Sequence, residues 1–124
     1  MAQENLKLKA KVKIFNPADL SKLEKVDLII DTGATFSVVS NERLAKLEIK
    51  PIFKKKLRLA TGELIEREVG GGGFEFEGKG IGISDVIFGE KEDSEVLGLL
   101  ALEAMALKVN TVTGELEPIE LSLL

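Results

Sequence analysis

Residues 26–40 read VDLIIDTGATFSVVS, and the rest of the chain can be placed around this stretch. Apolar side chains occupy every second position of residues 26–30, a period that predicts a strand with at least one buried face. The strand ends at Asp31, which is followed by Thr32-Gly33. A carboxylate at the end of a buried strand is costly unless it is paired or has a chemical role. The stretch therefore predicts a strand that presents Asp31 as a candidate functional group.

The order Asp31-Thr32-Gly33, after an apolar strand and before a small residue, resembles the active-site loop of aspartic proteases. The resemblance is to the short retropepsin-like type (clan AA) found in cellular organisms, which carries one such loop per chain. Residues 96–100, VLGLL, match the family's second pattern, in which two hydrophobic residues and a glycine precede a short helix, here residues 101–107. Residues 77–88 are similar to the family's second hairpin. The resemblance therefore extends from about residue 5 to about residue 110.

The composition is that of one small folded domain. The chain has 124 residues, of which 44% are hydrophobic and 31% are charged, enough for a single core but not for two. Six Phe are the only aromatic residues, so the core is expected to be aliphatic. The content of Val, Ile and Gly favours strands and tight turns. We expect an all-β fold with one or two short helices, in a single domain over residues 1–124.

Missing residue types exclude several kinds of chemistry. Without His or Cys there is no Ser-His-Asp or Cys-His catalysis, no zinc site built from those ligands and no disulfide. The net charge is -4, and the one basic run, Lys54-Lys55-Lys56, is interpreted as a solvated loop, so no nucleic-acid partner is expected. No apolar run approaches the ~20 residues of a membrane span, and the N-terminus lacks the apolar segment of a signal peptide. These features predict a cytoplasmic protein without a membrane partner.

Alternation and turn residues predict the elements on either side of Asp31. A first strand is expected over residues 6–14, where apolar residues alternate with lysines, followed by a polar connection through residues 16–25. After the loop, Ser40 is a candidate cap for a short helix that ends before Pro51. A last hairpin is expected to turn near Thr113-Gly114. The segment of residues 116–124 is too apolar to be a free tail, so it is expected to be shielded from solvent, and a partner subunit is one candidate for this.

A hairpin is predicted over residues 57–67, with a turn in which Gly62 can supply a positive φ. In the resembling family the hairpin at this place is the flap that closes over substrate, so the candidate flap residues are Ala60, Thr61, Gly62 and Glu63. The glycine run at residues 70–73 is an alternative tip. The family's spacing decides against it, because the tip should precede the turn at Gly78 by nearly twenty residues. The run is instead expected to form a bend or bulge where the strand passes close to another backbone.

The resemblance also implies the chemistry. Members of the family use two aspartates that share one proton, because like charges ~3 Å apart cannot both ionise; one is a base toward water and the other an acid toward the peptide carbonyl. Asp27 lies about 13 Å from Asp31 along an extended strand, which is too far for the second acid. The second acid is expected to be Asp31 of another copy. The resemblance thus implies a retropepsin-like half-barrel that is closed by homodimerisation.

The other loop residues receive their roles from the resemblance alone. Thr32 is expected to hydrogen-bond across the dimer axis to the partner's loop backbone. Gly33 lets its amide approach the carboxylate, and Gly98 packs closely beneath the loop. Ala34 matches the small residue of the viral type, and Thr35 stands where viral relatives often carry an acid.

The favoured function is a homodimeric aspartic peptidase that hydrolyses extended peptide segments and needs no cofactor or metal. Its rival is a peptide-binding or dimerisation module that keeps the same fold and cleaves nothing. Two local alternatives concern single segments. Asp31 could cap its own loop in an ordinary strand-turn. Residues 92–95, EDSE, could bind a cation, but they lack the ligand spacing of a calcium loop and are interpreted as solvated.

Overall fold

The computed structural model describes residues 8–123, which form nine strands and two short helices. In chain order these are β1 (Lys9–Asn16), β2 (Asp19–Ile30), β3 (Ser37–Ser40), α1 (Asn41–Lys46), β4 (Phe53–Arg58), β5 (Leu64–Phe76), β6 (Gly80–Gly89), β7 (Val96–Leu97), α2 (Leu99–Ala104), β8 (Leu107–Val109) and β9 (Leu116–Pro118). The predicted all-β class with two short helices is confirmed. No helix in this part of the chain is both long and apolar enough to cross a membrane.

Seven of the strands form one sheet in the order β1-β2-β7-β3-β6-β5-β4. Strand β1 also pairs with β5, with Ile14 opposite Phe74, so the sheet partly closes into a ring that leaves β4 outside. Most neighbours are antiparallel, but β7 runs parallel to β2, and β6 runs parallel to β3. Strands β8 and β9 form a separate two-stranded sheet. Because β7 is inserted between β2 and β3, the end of β2 lies beside the residues that follow β7.

The interior of the ring is filled mainly with aliphatic side chains, as the composition predicts. The largest side chains with almost no exposure are those of Phe74, Ile14, Leu28, Leu44, Leu97 and Leu102. Helix α2 packs on one face of β6. A side chain at Gly80 or Gly82 would collide there with the carbonyl oxygen of Met105 or Ala104. These glycines therefore let the C-terminal end of the helix approach the sheet closely.

Several predicted elements are confirmed. Helix α1 is capped by Ser40, whose Oγ accepts a hydrogen bond from the amide of Arg43 at 3.2 Å. Strands β5 and β6 form the second hairpin, which turns at residues 77–79. Strands β8 and β9 form the last hairpin, in which Gly114 has a φ of +77°. Leu116, at the start of the apolar tail, is buried within the chain's own core.

The polar connection predicted for residues 16–25 is wrong, because β2 begins at Asp19 after a tight turn. It pairs with β1 in a hairpin, with Leu23 opposite Phe15. Residues 19–25 are exposed or half-buried on both faces, so they lack the apolar alternation that identifies a strand in a sequence. Their extended conformation depends on pairing with β1. Residues 6 and 7, where the first strand is predicted to begin, lie outside the described residues.

Helix α2 begins directly after Gly98, two residues earlier than predicted, and residue 107 already belongs to β8. The glycine run at residues 70–73 forms no bulge, since β5 keeps a continuous register with β6. The close approach to another backbone is found at Gly70 alone, whereas a side chain at Gly73 would collide with the ring of Phe15. Most of the run is thus close to aromatic side chains. Only Gly70 faces a backbone atom, since a Cβ atom there would lie 2.8 Å from the carbonyl oxygen of Lys50.

The basic run Lys54-Lys55-Lys56 is not a loop but the middle of β4. In the pairing with β5 these lysines stand opposite Glu68, Arg67 and Glu66, respectively. Like-charged and unlike-charged neighbours therefore alternate along the hairpin, and its two faces differ in charge.

Candidate active site

Asp31 follows β2 directly and begins an exposed turn. The parallel pairing of β2 with β7 continues to the site, because the amide of Asp31 donates to the carbonyl oxygen of Leu97 at 3.0 Å. Within the turn, Asp31 Oδ1 accepts a hydrogen bond from the amide of Gly33 at 3.0 Å, and its carbonyl oxygen accepts one from Ala34 at 3.1 Å. The backbone thus orients a carboxylate that solvent or a partner can reach.

Helix α2 holds the far side of this turn. The first amides of a helix have no partner within the helix. Here the amide of Leu99 donates to the carbonyl oxygen of Ala34 at 2.8 Å, and that of Leu100 donates to the carbonyl oxygen of Thr35 at 3.0 Å. The carbonyl groups of the turn therefore accept hydrogen bonds from the first free amides of the helix. The same two bonds hold the turn against the helix.

Gly98 joins β7 to α2 directly beneath the turn. Its amide donates to the hydroxyl of Ser37, which is fully buried, at 2.9 Å. A Cβ atom on Gly98 would lie 2.5 Å from the carbonyl carbon and oxygen of Phe36, a separation that real Cβ atoms do not show. Gly98 therefore packs closely against the backbone of Phe36.

The predicted loop residues are brought together, although their exposure differs. Asp31, Thr32, Gly33 and Thr35 are exposed, and Ala34 is half-buried. A Cβ atom on Gly33 would approach Asp31 Oδ1 to 3.3 Å, so a glycine keeps the amide-to-carboxylate contact free of crowding. The alternative in which Asp31 caps its own loop describes part of this geometry. It gives no account of the support from Gly98 and α2 below the loop.

The predicted flap residues form a separate turn at the end of the β4–β5 hairpin. Ala60, Thr61, Gly62 and Glu63 are all exposed, and Gly62 has a φ of +92°. Their described hydrogen bonds stay within the hairpin, as in the bond from the amide of Leu59 to the carbonyl oxygen of Glu63 at 2.8 Å. The hairpin meets the loop further down, where Lys55 Nζ lies 5.7 Å from the centroid of the Phe36 ring. The structure thus places the hairpin beside the loop but gives no contact between the tip and Asp31.

Two arginines form ion pairs that connect the segments around the site. The sequence patterns do not identify either of them. Arg43 of α1 bridges Glu24 of β2, at 2.6 Å, and Glu95, at 2.9 Å. Glu95 also accepts a hydrogen bond from the amide of Ser40 at 2.9 Å. This network links Glu95, the residue directly before β7, to both β2 and β3. A glutamate in a charged loop gives no sequence signal for such a role.

The second arginine, Arg67 of β5, makes two hydrogen bonds to Asp93, at 2.7 and 3.0 Å. These bonds, and a smaller effect of the Glu90 amide, hold the pKa of the Asp93 carboxyl below its usual value, against the opposing effect of partial burial. The interpretation of residues 92–95 as simply solvated is therefore wrong for Asp93 and Glu95. Among residues 8–123, no group of three or more His, Cys, Asp or Glu side chains is arranged to hold a metal ion.

A comparison with protein families identifies a family for this chain. A family model described as aspartyl protease matches residues 10–104, which run from β1 to the end of α2 and include both Asp31 and Gly98. No curated protein matches the chain.

Proposed function

The chain belongs to the aspartyl protease family, and from this premise we propose that it is a homodimeric peptidase whose two Asp31 carboxylates activate a water molecule. The observation that carries the proposal is the loop itself. An exposed carboxylate is held in one orientation by the Gly33 amide and supported from below by Gly98 and α2. Such support is what a catalytic group requires, because misplacement by about 1 Å can cost ~100-fold in rate.

The need for a second copy follows from the number of acids at the site. Asp27, on the same strand, pairs with Lys11 at 3.0 Å and lies about 13 Å away by strand geometry. Asp31 and its neighbours Thr32 and Gly33 are exposed in the single chain, which leaves room for an identical loop to face them. Under twofold symmetry a residue on the axis meets its own symmetry mate. Two Asp31 carboxylates would then share one proton.

The proposed reaction uses these two carboxylates as base and acid. The ionised one takes a proton from water while the water oxygen attacks the peptide carbonyl carbon, and the protonated one gives its proton to the carbonyl oxygen. The tetrahedral intermediate then collapses. Its C–N bond breaks as the nitrogen receives a proton from the carboxyl that had taken one from water. The carboxylate that gave up its proton recovers it from the hydroxyl of the intermediate as the new carboxyl group forms, so the pair returns to its starting state without a cofactor.

Two further features support the proposal. The β4–β5 hairpin beside the loop is suited to a flap over an extended peptide, which would bind by main-chain hydrogen bonds in the manner of an added strand. The end of the chain is suited to a subunit contact. Leu121 is 74% exposed and Leu123 is 99% exposed, while Leu116 is already covered within the chain. Deleting residues 121–124 is therefore expected to weaken dimerisation and activity together, while the core residue Leu116 is kept.

The proposal is tested by replacing Asp31→Asn and, as a control of equal charge change on the strand that leads to Asp31, Asp27→Asn. Peptide cleavage is measured with mixed peptide substrates, with and without a transition-state analogue that carries a hydroxyl in place of the scissile carbonyl. We expect the analogue and Asp31→Asn to abolish cleavage, and Asp27→Asn to leave it unchanged. Full activity in a folded Asp31→Asn protein would overturn the assignment. Peptide binding without cleavage by the wild type would favour the non-catalytic module instead.

A further inference from the structure

The hairpin formed by β4 and β5 has two different faces. In its register, Phe53, Lys55 and Leu57 stand opposite Val69, Arg67 and Ile65, respectively, and opposite residues of an antiparallel pair point to the same side. On β5 the members of this set are buried or half-buried, whereas Leu64, Glu66 and Glu68 are exposed. The side that carries Lys55 is therefore the inner face of the hairpin, and Lys54 and Lys56 lie on the outer face.

The ammonium group of Lys55 lies near two aromatic rings. Its Nζ is 5.7 Å from the ring centroid of Phe53, two residues away on β4, and 5.7 Å from that of Phe36. Both distances are within the range of a cation–π contact. Phe36 is five residues beyond Asp31, and its backbone is the one packed against Gly98. The inner face of the hairpin thus presents a cation at the edge of the candidate active site.

Within residues 8–123, the charge of Lys55 is not compensated by an ion pair, whereas that of Arg67 is. Arg67, directly opposite, is paired with Asp93 at 2.7 Å and Glu90 at 3.6 Å. Lys54 and Lys56 stand opposite Glu68 and Glu66 on the outer face. Among residues 8–123, no ion pair includes Lys55, and none includes Lys54 or Lys56, so it is the inner-face position that distinguishes Lys55. Lys55 is therefore an exposed cation that contacts two rings and is available to an anionic group from outside.

We propose that Lys55 is a specificity-determining residue that selects peptide substrates with an acidic side chain near the scissile bond. This inference rests on the proposed function, since it takes the space between the hairpin and the Asp31 loop to be the substrate cleft. A peptide bound there would displace water, and an ion pair strengthens as the local dielectric falls. In a twofold dimer each subunit supplies one Lys55. Acidic side chains on both sides of the scissile bond should therefore act together.

The test uses a neutral peptide in which each position in turn carries Glu or its uncharged isostere Gln. Cleavage is measured as kcat/KM with the wild-type chain. Binding is measured by fluorescence anisotropy with the Asp31→Asn protein, which keeps the cleft but cannot cut. Each measurement is repeated with Lys55→Met, Lys55→Arg and Lys55→Glu. Lys56→Met is the matched control, because it removes the neighbouring positive charge from the outer face of the same strand.

At one or more positions of the peptide, we expect kcat/KM of the wild type and the affinity of the Asp31→Asn protein to be about fivefold higher with Glu than with Gln. This ratio corresponds to the strongest ion pairs measured at exposed positions. Lys55→Met should remove this preference, Lys55→Glu should reverse it so that Gln is favoured over Glu, and Lys55→Arg and Lys56→Met should keep it. An equal Glu-to-Gln ratio in the wild type and Lys55→Met would overturn the inference. Absence of cleavage with the Glu preference intact in binding would count against the proposed function and support the role of Lys55.

Discussion

The buried hydroxyl of Ser37 accepts a hydrogen bond from the amide of Gly98 at 2.9 Å, across 61 positions of the chain. It joins the start of β3 to the residue before α2, and so ties together the two segments that enclose the Asp31 turn. Ser37 is fully buried, and the bond satisfies a buried polar pair that would otherwise be costly. The loop is thus supported by a specific bond as well as by close packing.

Replacing Ser37→Ala should lower the free energy of unfolding by about 1–3 kcal/mol, because the buried amide of Gly98 loses its acceptor. Urea denaturation measures the effect. Ser84→Ala is the control, since its half-buried hydroxyl only donates to the adjacent carbonyl of Asp85 at 3.3 Å. Equal stability of the two variants would show that the bond to Gly98 contributes little.

Replacing Gly98→Ala should lower stability by about 1–3 kcal/mol through overpacking and should also reduce peptidase activity, because the added methyl group displaces Phe36 beneath the loop. Gly71→Ala is the matched control, as its Cβ would meet nothing within 4 Å. Denaturation and peptide cleavage are measured on both. If Gly98→Ala retained wild-type stability and activity, close packing at Gly98 would not be what positions the loop.

The sequence is most informative where local pattern and tertiary structure agree. The apolar alternation before Asp31 predicts β2 up to its end, and the apolar pattern around Gly98 is followed by a short helix, as expected. The family match confirms the resemblance that these motifs carry. The first half of β2 is not predicted, because residues 19–25 have no buried face and so show no apolar alternation. They form a strand because they pair with β1.

Long-range polar contacts cannot be predicted from the sequence. In the sequence, Ser37 looks like an ordinary strand residue. Its neighbours in the sequence do not indicate that its hydroxyl accepts a hydrogen bond from an amide 61 residues later. The roles of Arg43 and Arg67 depend in the same way on Glu95 and Asp93, which are 52 and 26 positions away, respectively, in a segment with a solvated composition. The lysine run is interpreted as a loop because charge alone does not reveal that β4 pairs with β5.

Stability should depend on pH through Asp93. Its pKa is lower in the folded chain than its ordinary value of 3.8, because of the hydrogen bonds from Arg67. The stabilisation is therefore complete above pH 3.8 and is lost as the pH falls through the lower folded-state value. Asp93→Asn should be less stable than the wild type by about 1–3 kcal/mol at neutral pH, and the difference should shrink below pH 3.8.

Urea denaturation at neutral pH and in acid measures this difference. Asp27→Asn is the control, because the side chains of its pair with Lys11 are 59% and 60% exposed, respectively, and such pairs contribute about 0–1 kcal/mol. A difference between the wild type and Asp93→Asn that stayed constant across this pH range would contradict the assigned role.

The hairpin tip should be mobile in the free protein and ordered by ligand. Its residues are exposed, and lid elements come from the least stable parts of a structure. Amides of residues 59–64 should exchange rapidly with solvent and slow down when the transition-state analogue binds. The amide of Gly98 should exchange slowly in both states, because it is buried and bonded to Ser37. Slow exchange at the tip in the free protein, unchanged by the analogue, would argue against a flap.

The central claim is that one active site needs Asp31 from two chains, and mixing subunits tests it most directly. Wild-type protein is allowed to exchange subunits with an equal amount of Asp31→Asn, and with Asp27→Asn in a parallel control. Random pairing leaves two intact carboxylates in about one quarter of the dimers. Activity should therefore fall to about one quarter of that of the same total amount of wild type, and the control should stay at full activity. A value of about one half would mean that a single chain is sufficient, and would contradict the two-chain site.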